Sequence, residues 1–390
     1  MSVSSYLSVS PHTLEPMNED KATRYNRLKR QVSVVSMVWG IALLCGLLLT
    51  GFTVTLRDAG AWLASDVAPA AWRDTATVVA YVALLALLNE VVALPLAFYS
   101  GFVLERRYEL SNEKVSTWAV DQAKSFAIGL VFGGGAAALI YALIRVAPDR
   151  WWLPAGALFA VLIVGLTNLA PVLLLPLFYT IKPLEREALR TRLLTLAERA
   201  GARVLGAYEW GLSDKTRKAN AALAGLGGTR RILVSDTMLA QYSEEEIEVV
   251  LAHELAHHVH GDIWKGILFE SGLILAGFYL ASRALAALAA PAGLASVGDP
   301  AGLPILLLAA GAVSLVMVPV AHAMSRAFER SADRFALDLT KNPSAFVSAM
   351  RRLAAQNLAE EHPSKIVRWL FYSHPPIRER IAAAQAFRPS

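Results

Sequence analysis

The sequence predicts an α-helical integral membrane protein with about six transmembrane helices and a mostly helical, water-soluble segment that contains a small β-sheet. Three observations carry this. Of the 390 residues, 55% are hydrophobic and 18% charged, against roughly 45–50% and 25% in soluble domains, and the mean hydropathy is +0.43. The apolar residues are gathered into runs of the roughly 18–25 residues that cross a bilayer, instead of being interrupted by a polar face at every helical turn. One long polar stretch, residues 181–265, separates four such runs from two more. The single cysteine, Cys45, lies in the first run, which excludes a disulfide framework and a cysteine-rich metal site. The formal charge of +5 reads as Lys and Arg in cytoplasmic loops, not as a nucleic-acid surface.

Residues 1–33 form a polar tail closed by the basic cluster KATRYNRLKR. The apolar run behind it is too long for a signal-peptide core, so it reads as a retained first span. Spans are expected at approximately 34–56, 76–104, 125–146, 152–178, 266–290 and 302–324. The chain thus divides into a tail (1–33), four spans (34–180), a soluble segment (181–265), two spans (266–325) and a C-terminal segment (326–390). Basic residues concentrate in the tail, in the loop after the second span (Arg106, Arg107, Lys114, Lys124), in 181–265 and in 326–390. The alternate loops 57–75, 147–151 and 291–301 carry few. The positive-inside rule then makes this a multi-pass protein with both termini and the soluble segment cytoplasmic.

Some span residues are out of character. Asn89-Glu90 and Asn168 fall within spans and should face the bundle interior, because a charge facing lipid is expensive. Glu270 reads as an interfacial residue. Pro95, Pro171, Pro176 and Pro319 should kink their spans, which is tolerated where neighbours or water satisfy the freed carbonyls.

In the soluble segment, PLEREALRTRLLTLAERAG reads as an amphipathic helix ended by Gly201. RVLGAYEWGLS, RKANAALAG and RRILVSDT follow as three short strands, with Gly227-Gly228 as a hairpin signal between the last two. Ser243 with Glu246 forms a capping box that opens a helix over about 244–260, ended by Gly261.

That helix carries His253-Glu254-Leu255-Ala256-His257, the H-E-x-x-H pattern. Residues i and i+4 share a helix face, so two imidazoles can hold one zinc ion, with the intervening glutamate placed to take a proton from water. The competing reading, a helix with solvent-facing histidines, is disfavoured by the cap and the soluble setting. His258 lies about 100° round the helix from His257 and His260 is at the helix end, so both read as bystanders. A catalytic zinc needs a third protein ligand. In SRAFERSADRFALDL, Glu329 can supply it, and Asp333, one turn on, can accept the free N–H of a ligating histidine. A solvated face would explain such a pair too. His322, seven residues before Glu329, is a weaker rival that reads better as a packed or chamber-lining residue.

Several stretches, taken in order, resemble the type I CAAX prenyl proteases, integral-membrane zinc endopeptidases of eukaryotes with many prokaryotic relatives. They are PLAFYSGFVLERRYELSNEKVSTWAVDQAKS, LPLFYTIKPLE, KANAALAG, RRILVSDTML, HELAHH, SRAFERSADRFA and SHPPIRERI. Together they cover nearly everything from about residue 80 onward. The resemblance implies spans around a water-filled chamber and a zincin-like catalytic domain on its wall. It implies Glu329 as third ligand with Asp333 behind it. It places Asn220 and Ala221 on an edge strand that holds the substrate backbone, as extended peptides add to sheet edges. It also implies His374 and Arg380 as contacts to the substrate backbone or to charge on its carbonyl oxygen. The chain departs from the eukaryotic members: six spans are counted where they have seven, KANAALAG has Lys-Ala before its Asn where they carry Ser, and no dilysine signal closes the chain. An Ala- and Arg-rich composition fits a bacterial inner membrane better than the endoplasmic reticulum.

The expected function is zinc-dependent endoproteolysis with one zinc per chain, Glu254 as general base and His374 assisting at the carbonyl. The expected partners are a peptide or protein substrate, prenylated or membrane-embedded, and the lipid bilayer. Removal of a C-terminal tripeptide from prenylated proteins is the leading reading. Quality control of membrane proteins, as in the heat-shock membrane metalloproteases, is the alternative. A membrane peptide-binding or chaperone protein without turnover is a third reading, against which the intact His253, Glu254, His257 and Glu329 argue. A transporter is weaker still, because polar span residues are few and no repeat of the spans is visible.

Overall fold

The computed structural model describes residues 16–225 and 229–388, and leaves the side chains of 16–20, Asn168, Ala170 and Pro171 undescribed. The Gly227-Gly228 hairpin signal and the side chains of Asn168 and Pro171 therefore lie outside the described residues.

Helix α1 (Pro16–Thr50) carries the basic cluster and the first apolar run without a break. It stops where Gly51 takes a φ of 72°, a left-handed conformation open to glycine at little cost. The chain then reverses into α2 (Phe52–Val67), which packs on α3 (Arg73–Ala97). The first span expected at 34–56 thus ends at Thr50, and the loop expected at 57–75 is largely helix. Hydropathy alone does not register a turn at one glycine, and α2 buries only the stripe Thr53, Leu56, Gly60 and Ala64. Two observations fix its approach to α3. A Cβ on Gly60 would lie 3.1 Å from the backbone nitrogen of Tyr81. Thr53 bonds Tyr81 Oη and the carbonyl of Ala301, each at 2.7 Å.

Pro95 sits inside α3, which passes into a π-helical turn (Phe98–Val103) and a short α4 (Leu104–Arg107). A proline removes a ladder hydrogen bond, and π-turns commonly mark such breaks. Next come α5 (Val115–Val146), α6 (Trp152–Leu173) and α7 (Leu175–Phe178). Glu90 accepts a hydrogen bond from Gln122 of α5 at 3.3 Å, so its mid-span position has a structural partner.

The soluble segment holds β1 (Ile181–Pro183), α8 (Glu187–Arg199), β2 (Ala207–Trp210), β3 (Ala221–Ala224) and β4 (Arg231–Ser235). Among the described residues the sheet has four strands in the order β1-β2-β4-β3, where three are expected from the sequence. β2 and β4 run parallel, and the outer pairs are antiparallel. β1 carries no sequence signal, because three residues closed by a proline show no alternation. In α8 the buried Leu189, Leu193, Leu196 and Ala197 form the stripe expected of an amphipathic helix.

After α9 (Asp236–Gln241), helix α10 (Glu244–Val259) starts at the Ser243–Glu246 capping box, both of whose bonds form, and ends before Gly261 at φ 68°. Then come α11 (Asp262–Leu288), α12 (Leu303–Thr340), α13 (Pro343–Asn357), α14 (Lys365–Phe371) and α15 (Ile377–Ala386). α12 has 38 residues, about 57 Å at the helical rise. It runs from the far end of the bundle into the soluble domain.

Among the described residues, five helical stretches (21–50, 70–107, 115–146, 262–288 and 300–340) are long and apolar enough to cross a membrane, and α6 adds a shorter apolar one. Neighbour contacts run α1–α3–α5–α6–α11–α12 and back to α1, a closed ring. Helices that pack 8–10 Å apart cannot close a six-membered ring on its own axis. Packing is dense at one end, around Tyr81, Tyr141, Trp151, Leu285 and Leu303, and in the soluble domain, around Leu193, Ile232, Met238, Leu251 and Phe346. Bordering the first of these cores, a cavity of about 470 Å³ is lined from five helices of the ring, by residues such as Leu43, Val82, Ala137, Phe159 and Leu307. This is the physical basis of a chamber. A third cluster joins Tyr25 of α1 to Leu104, Tyr108, Leu110 and Leu358. It gathers the basic segments at one end of the bundle.

Because the Gly60 Cβ position meets backbone, which cannot move aside, Gly60→Val should overpack the α2–α3 contact by about 1–3 kcal/mol. Gly129→Val, with nothing within 4 Å of its Cβ position, should have little effect. Thermal unfolding of both variants in detergent checks this.

Candidate metal centre

Two helices build the centre. α10 presents His253 and His257 one turn apart, with ring centroids 5.0 Å from each other. α12 packs along α10 and brings Glu329 across from both. Glu329 Oε2 lies 3.3 Å from His253 Nε2, and Oε1 lies 3.4 Å from His257 Nε2. Glu329 is only 5% exposed. Among the described residues, this trio is the one group whose His, Cys, Asp or Glu ligand atoms all lie within 4.8 Å of one another.

The far nitrogen of each imidazole is engaged. His253 Nδ1 lies 2.9 Å from Asp333 Oδ1, and His257 Nδ1 lies 3.1 Å from Asp262 Oδ2. A carboxylate there holds the proton on Nδ1 and turns the Nε2 lone pair inward, the arrangement a metal-binding histidine needs. Asp333 was expected in this role, and Asp262 was not. The signal for Asp262 was faint: a carboxylate five residues past His257, beyond a glycine that ends the helix, follows no helical period. Asp262 is buried and also accepts a hydrogen bond from Lys265 at 3.0 Å.

Arg380 from α15 is buried, and it gives Nε and Nη2 to Asp333 at 2.8 and 2.5 Å. Its Nη1 lies 3.8 Å from Glu329 Oε2. Two of its three nitrogens thus form a fork on Asp333, and the third faces Glu329. The planar guanidinium matches a carboxylate in two parallel bonds, and burial leaves it little else to do. His374, in the Ser-His-Pro-Pro turn before α15, reaches the centre from the open side. Its Nε2 lies 3.2 Å from Glu329 Oε1, while its side chain stays 60% exposed. Glu254 is half-buried beside the pair.

Asn220 and Ala221 stand at the start of β3, an edge strand that packs on α10. The Asn220 side chain is exposed, whereas that of Ala221 is buried in the core. Only the backbone at Ala221 can meet a ligand. The strand start is well held. Asn220 N donates to Ser235 Oγ at 3.0 Å, and Asn357 bonds both the N–H and the carbonyl of Ala219 at 3.2 Å. His258 is partly buried, and burial and Arg230 lower its pKa. His260 contacts Ser331 and the ring of Phe335. Neither belongs to the trio. His322 is half-buried, with Nδ1 unpartnered.

The donor set fits a zinc ion in kind and charge. Two imidazoles and a carboxylate leave a fourth position open, and Glu329 Oε2 is buried without a hydrogen-bond partner. Four carboxylates (Glu254, Asp262, Glu329 and Asp333) crowd here against Arg380 and Lys265, a deficit that one divalent cation removes. Without it the histidines take up protons. Burial works against a charged His253, but the Asp333 and Glu329 carboxylates facing its two ring nitrogens outweigh it and push its pKa up to about 9. His257 is raised as well: burial opposes this, and the bond to Glu329 leads the other way. Burial raises the Glu254 carboxyl, partly offset by the two histidines.

Residues 183–388 match the family model described as Peptidase family M48, and residues 10–180 match the CAAX prenyl protease N-terminal region of five membrane helices. The chain is 30% identical over 376 residues to a Bacillus subtilis (strain 168) protein described as the uncharacterized metalloprotease YhfN, across 95% of this chain and 86% of that one. It is 29% identical over 278 residues to CAAX prenyl protease 1 of Saccharomyces cerevisiae, across 68% of this chain and 61% of that one. The crystal structure of S. mikatae Ste24p has the same fold, with a TM-score of 0.83 at 24% identity over 97% of this chain and 91% of the other.

Two outcomes follow. Metal binding must displace protons from the histidines, so apparent zinc affinity should rise about tenfold per pH unit for each proton displaced, and level off above about pH 9. Competition with a chelator between about pH 6.5 and 9.5 reads this, and a flat profile contradicts it. Asp262→Asn should weaken zinc binding by about 10–100-fold in the same titration.

Proposed function

The chain belongs to peptidase family M48, a membrane-embedded zinc metalloendopeptidase, and on that premise we propose which residues do the work and on what. His253, His257 and Glu329 hold the zinc. Bound there, zinc supplies Lewis acidity that polarises a scissile carbonyl and acidifies water. Glu254 takes the water proton on its carboxylate and returns it to the leaving amine; the rise in its pKa with burial brings it nearer the working pH of a general base. His374 Nε2 donates to the carbonyl oxygen as charge develops. It is suited to this because it is exposed on the open side of the trio. Asp333 and Asp262 orient the two imidazoles, and Arg380 holds Asp333. The substrate lies as an added strand along the free edge of β3, with its backbone against Asn220 and Ala221.

The observation that carries this reading is the convergence of three Nε2 atoms, those of His253, His257 and His374, on one buried carboxylate that hydrogen bonds within the protein leave half unsatisfied. For substrate we favour the C-terminal tripeptide of prenylated proteins, supported by the match of residues 10–180 to the CAAX prenyl protease N-terminal region and by the chamber. The gathering of basic segments at the catalytic end supports a cytoplasmic site, in a bacterial inner membrane.

Glu254→Gln should keep one zinc per chain and lose peptide hydrolysis by at least about 10²-fold. Retained zinc with wild-type turnover contradicts the assignment. A farnesylated C-a-a-X peptide should be cleaved in preference to its unprenylated twin; equal cleavage of both, with general degradation of unfolded membrane proteins, favours the quality-control reading.

A further inference from the structure

His374 poses a mechanical problem. Its imidazole is mostly exposed, so side-chain packing cannot hold it, yet it must sit within hydrogen-bond reach of a reacting oxygen. Its ring meets Ser373 Oγ at 2.9 Å through Nδ1 and Glu329 through Nε2, and with Ser373 itself exposed to the same motion, the rest of its position has to come from the backbone on either side. Downstream, Pro375 and Pro376 stiffen the chain as it enters α15, which Arg380 pins to Asp333. Upstream, two residues away, Tyr372 is held twice. Its carbonyl accepts from Arg326 Nη1 at 2.6 Å, and Arg326 is a buried residue of α12 three positions before Glu329. Its phenol donates to Glu360 Oε2 at 2.5 Å, and the same oxygen accepts from Arg30 Nη1 at 2.5 Å, with Arg30 3.1 Å from the phenol oxygen. Glu360 is 7% exposed and lies in the link between α13 and α14. Burial and the Glu360 carboxylate push the Tyr372 pKa up, which keeps the phenol a donor. Arg30 belongs to α1, the first membrane helix, more than 300 residues away in sequence. Asn26, one turn earlier on the same helix, donates to the carbonyl of Leu358 at 2.7 Å.

We propose that Arg30, Glu360 and Tyr372 are positioning residues for His374, a clamp on one buried carboxylate through which the first membrane helix fixes the transition-state donor of the peptidase domain. The inference rests on the reading of His374 given above. A buried carboxylate shared by a partly buried arginine and phenol is held in a narrow range of geometries, because losing either bond leaves a buried oxygen short of a donor. Loosening it should not touch the zinc trio or the β3 edge. It should let His374 wander by a fraction of an ångström to an ångström, a displacement that can cost about 10²-fold in rate.

The test is a kinetic double-mutant cycle on the full-length zinc enzyme in detergent, with Glu360→Gln, Tyr372→Phe, His374→Ala and the two corresponding doubles. Glu360→Gln and Tyr372→Phe should each lower kcat by about 10–100-fold, with KM within about twofold and one zinc per chain retained. Added to His374→Ala, each should cost almost nothing more, because the residue they position is gone. Arg30→Lys, which keeps the charge, should lose less than Arg30→Met. A multiplicative loss in the doubles, or a loss that tracks zinc content or thermal unfolding, overturns the clamp and leaves a merely structural role. A His374→Ala enzyme with wild-type kcat overturns the role of His374 itself, a distinct result. The double-mutant comparison stays informative even if one single variant folds poorly, because the other reports on the same carboxylate.

Discussion

The structure turns on one carboxylate. An H-E-x-x-H helix can offer two imidazoles at the spacing of its own pitch, and no more. The third donor has to be carried in by another helix and held against a burial cost that would expel an unpaired charge. Glu329 meets that cost by facing His253, His257, His374 and Arg380 at once. None of these pairings survives if α12 shifts by half a turn along α10. The α10–α12 contact, the dense apolar core beneath it and the buried Arg380–Asp333 pair all serve to keep that register.

The membrane part follows from the same requirement. Helix α11 leaves the site directly after Gly261, and α12 returns to it as one uninterrupted helix of 38 residues. The hairpin they form must therefore cross the bundle and come back. Closing it into a ring with α1, α3, α5 and α6 leaves an axis that side chains do not fill. The packing is accordingly placed at the two ends. The first helix enters the soluble domain by way of Asn26, Arg30 and the Tyr25–Glu105–Lys218 group, so membrane and catalytic parts are one mechanical unit. Gly60→Val tests one end of that unit, and the zinc titrations test the other.

How much of this could be read from sequence depended on whether a feature repeats with a helical or strand period. The spans, the α8 stripe and the α10 cap were legible because apolar residues recur at fixed intervals and Ser243 and Glu246 stand three apart. His253 and His257 were legible for the same reason. Glu329 and Asp333 were an ambiguous pair by spacing alone and became specific only through resemblance. α2 was hidden because a single glycine turned the chain inside an apolar run. β1 was hidden because three residues have no period, and Asp262 because it lies past a helix stop. The fork of Arg380 on Asp333 and the shared oxygen of Glu360 join residues from distant parts of the chain. No local pattern announces contacts of that kind, which exist only once the helices have packed.

The central claim is that one metal ion is held between α10 and α12 by two imidazoles and a carboxylate. X-ray absorption at the zinc edge of the purified wild-type protein, paired with metal content, addresses this without relying on a substrate. The account predicts one zinc per chain, coordinated by nitrogen and oxygen alone at about 2.0–2.2 Å, with the multiple-scattering signature of two imidazoles, and loss of most of the metal in Glu329→Ala. A centre with one imidazole, or an unchanged spectrum and zinc content in Glu329→Ala, would contradict it.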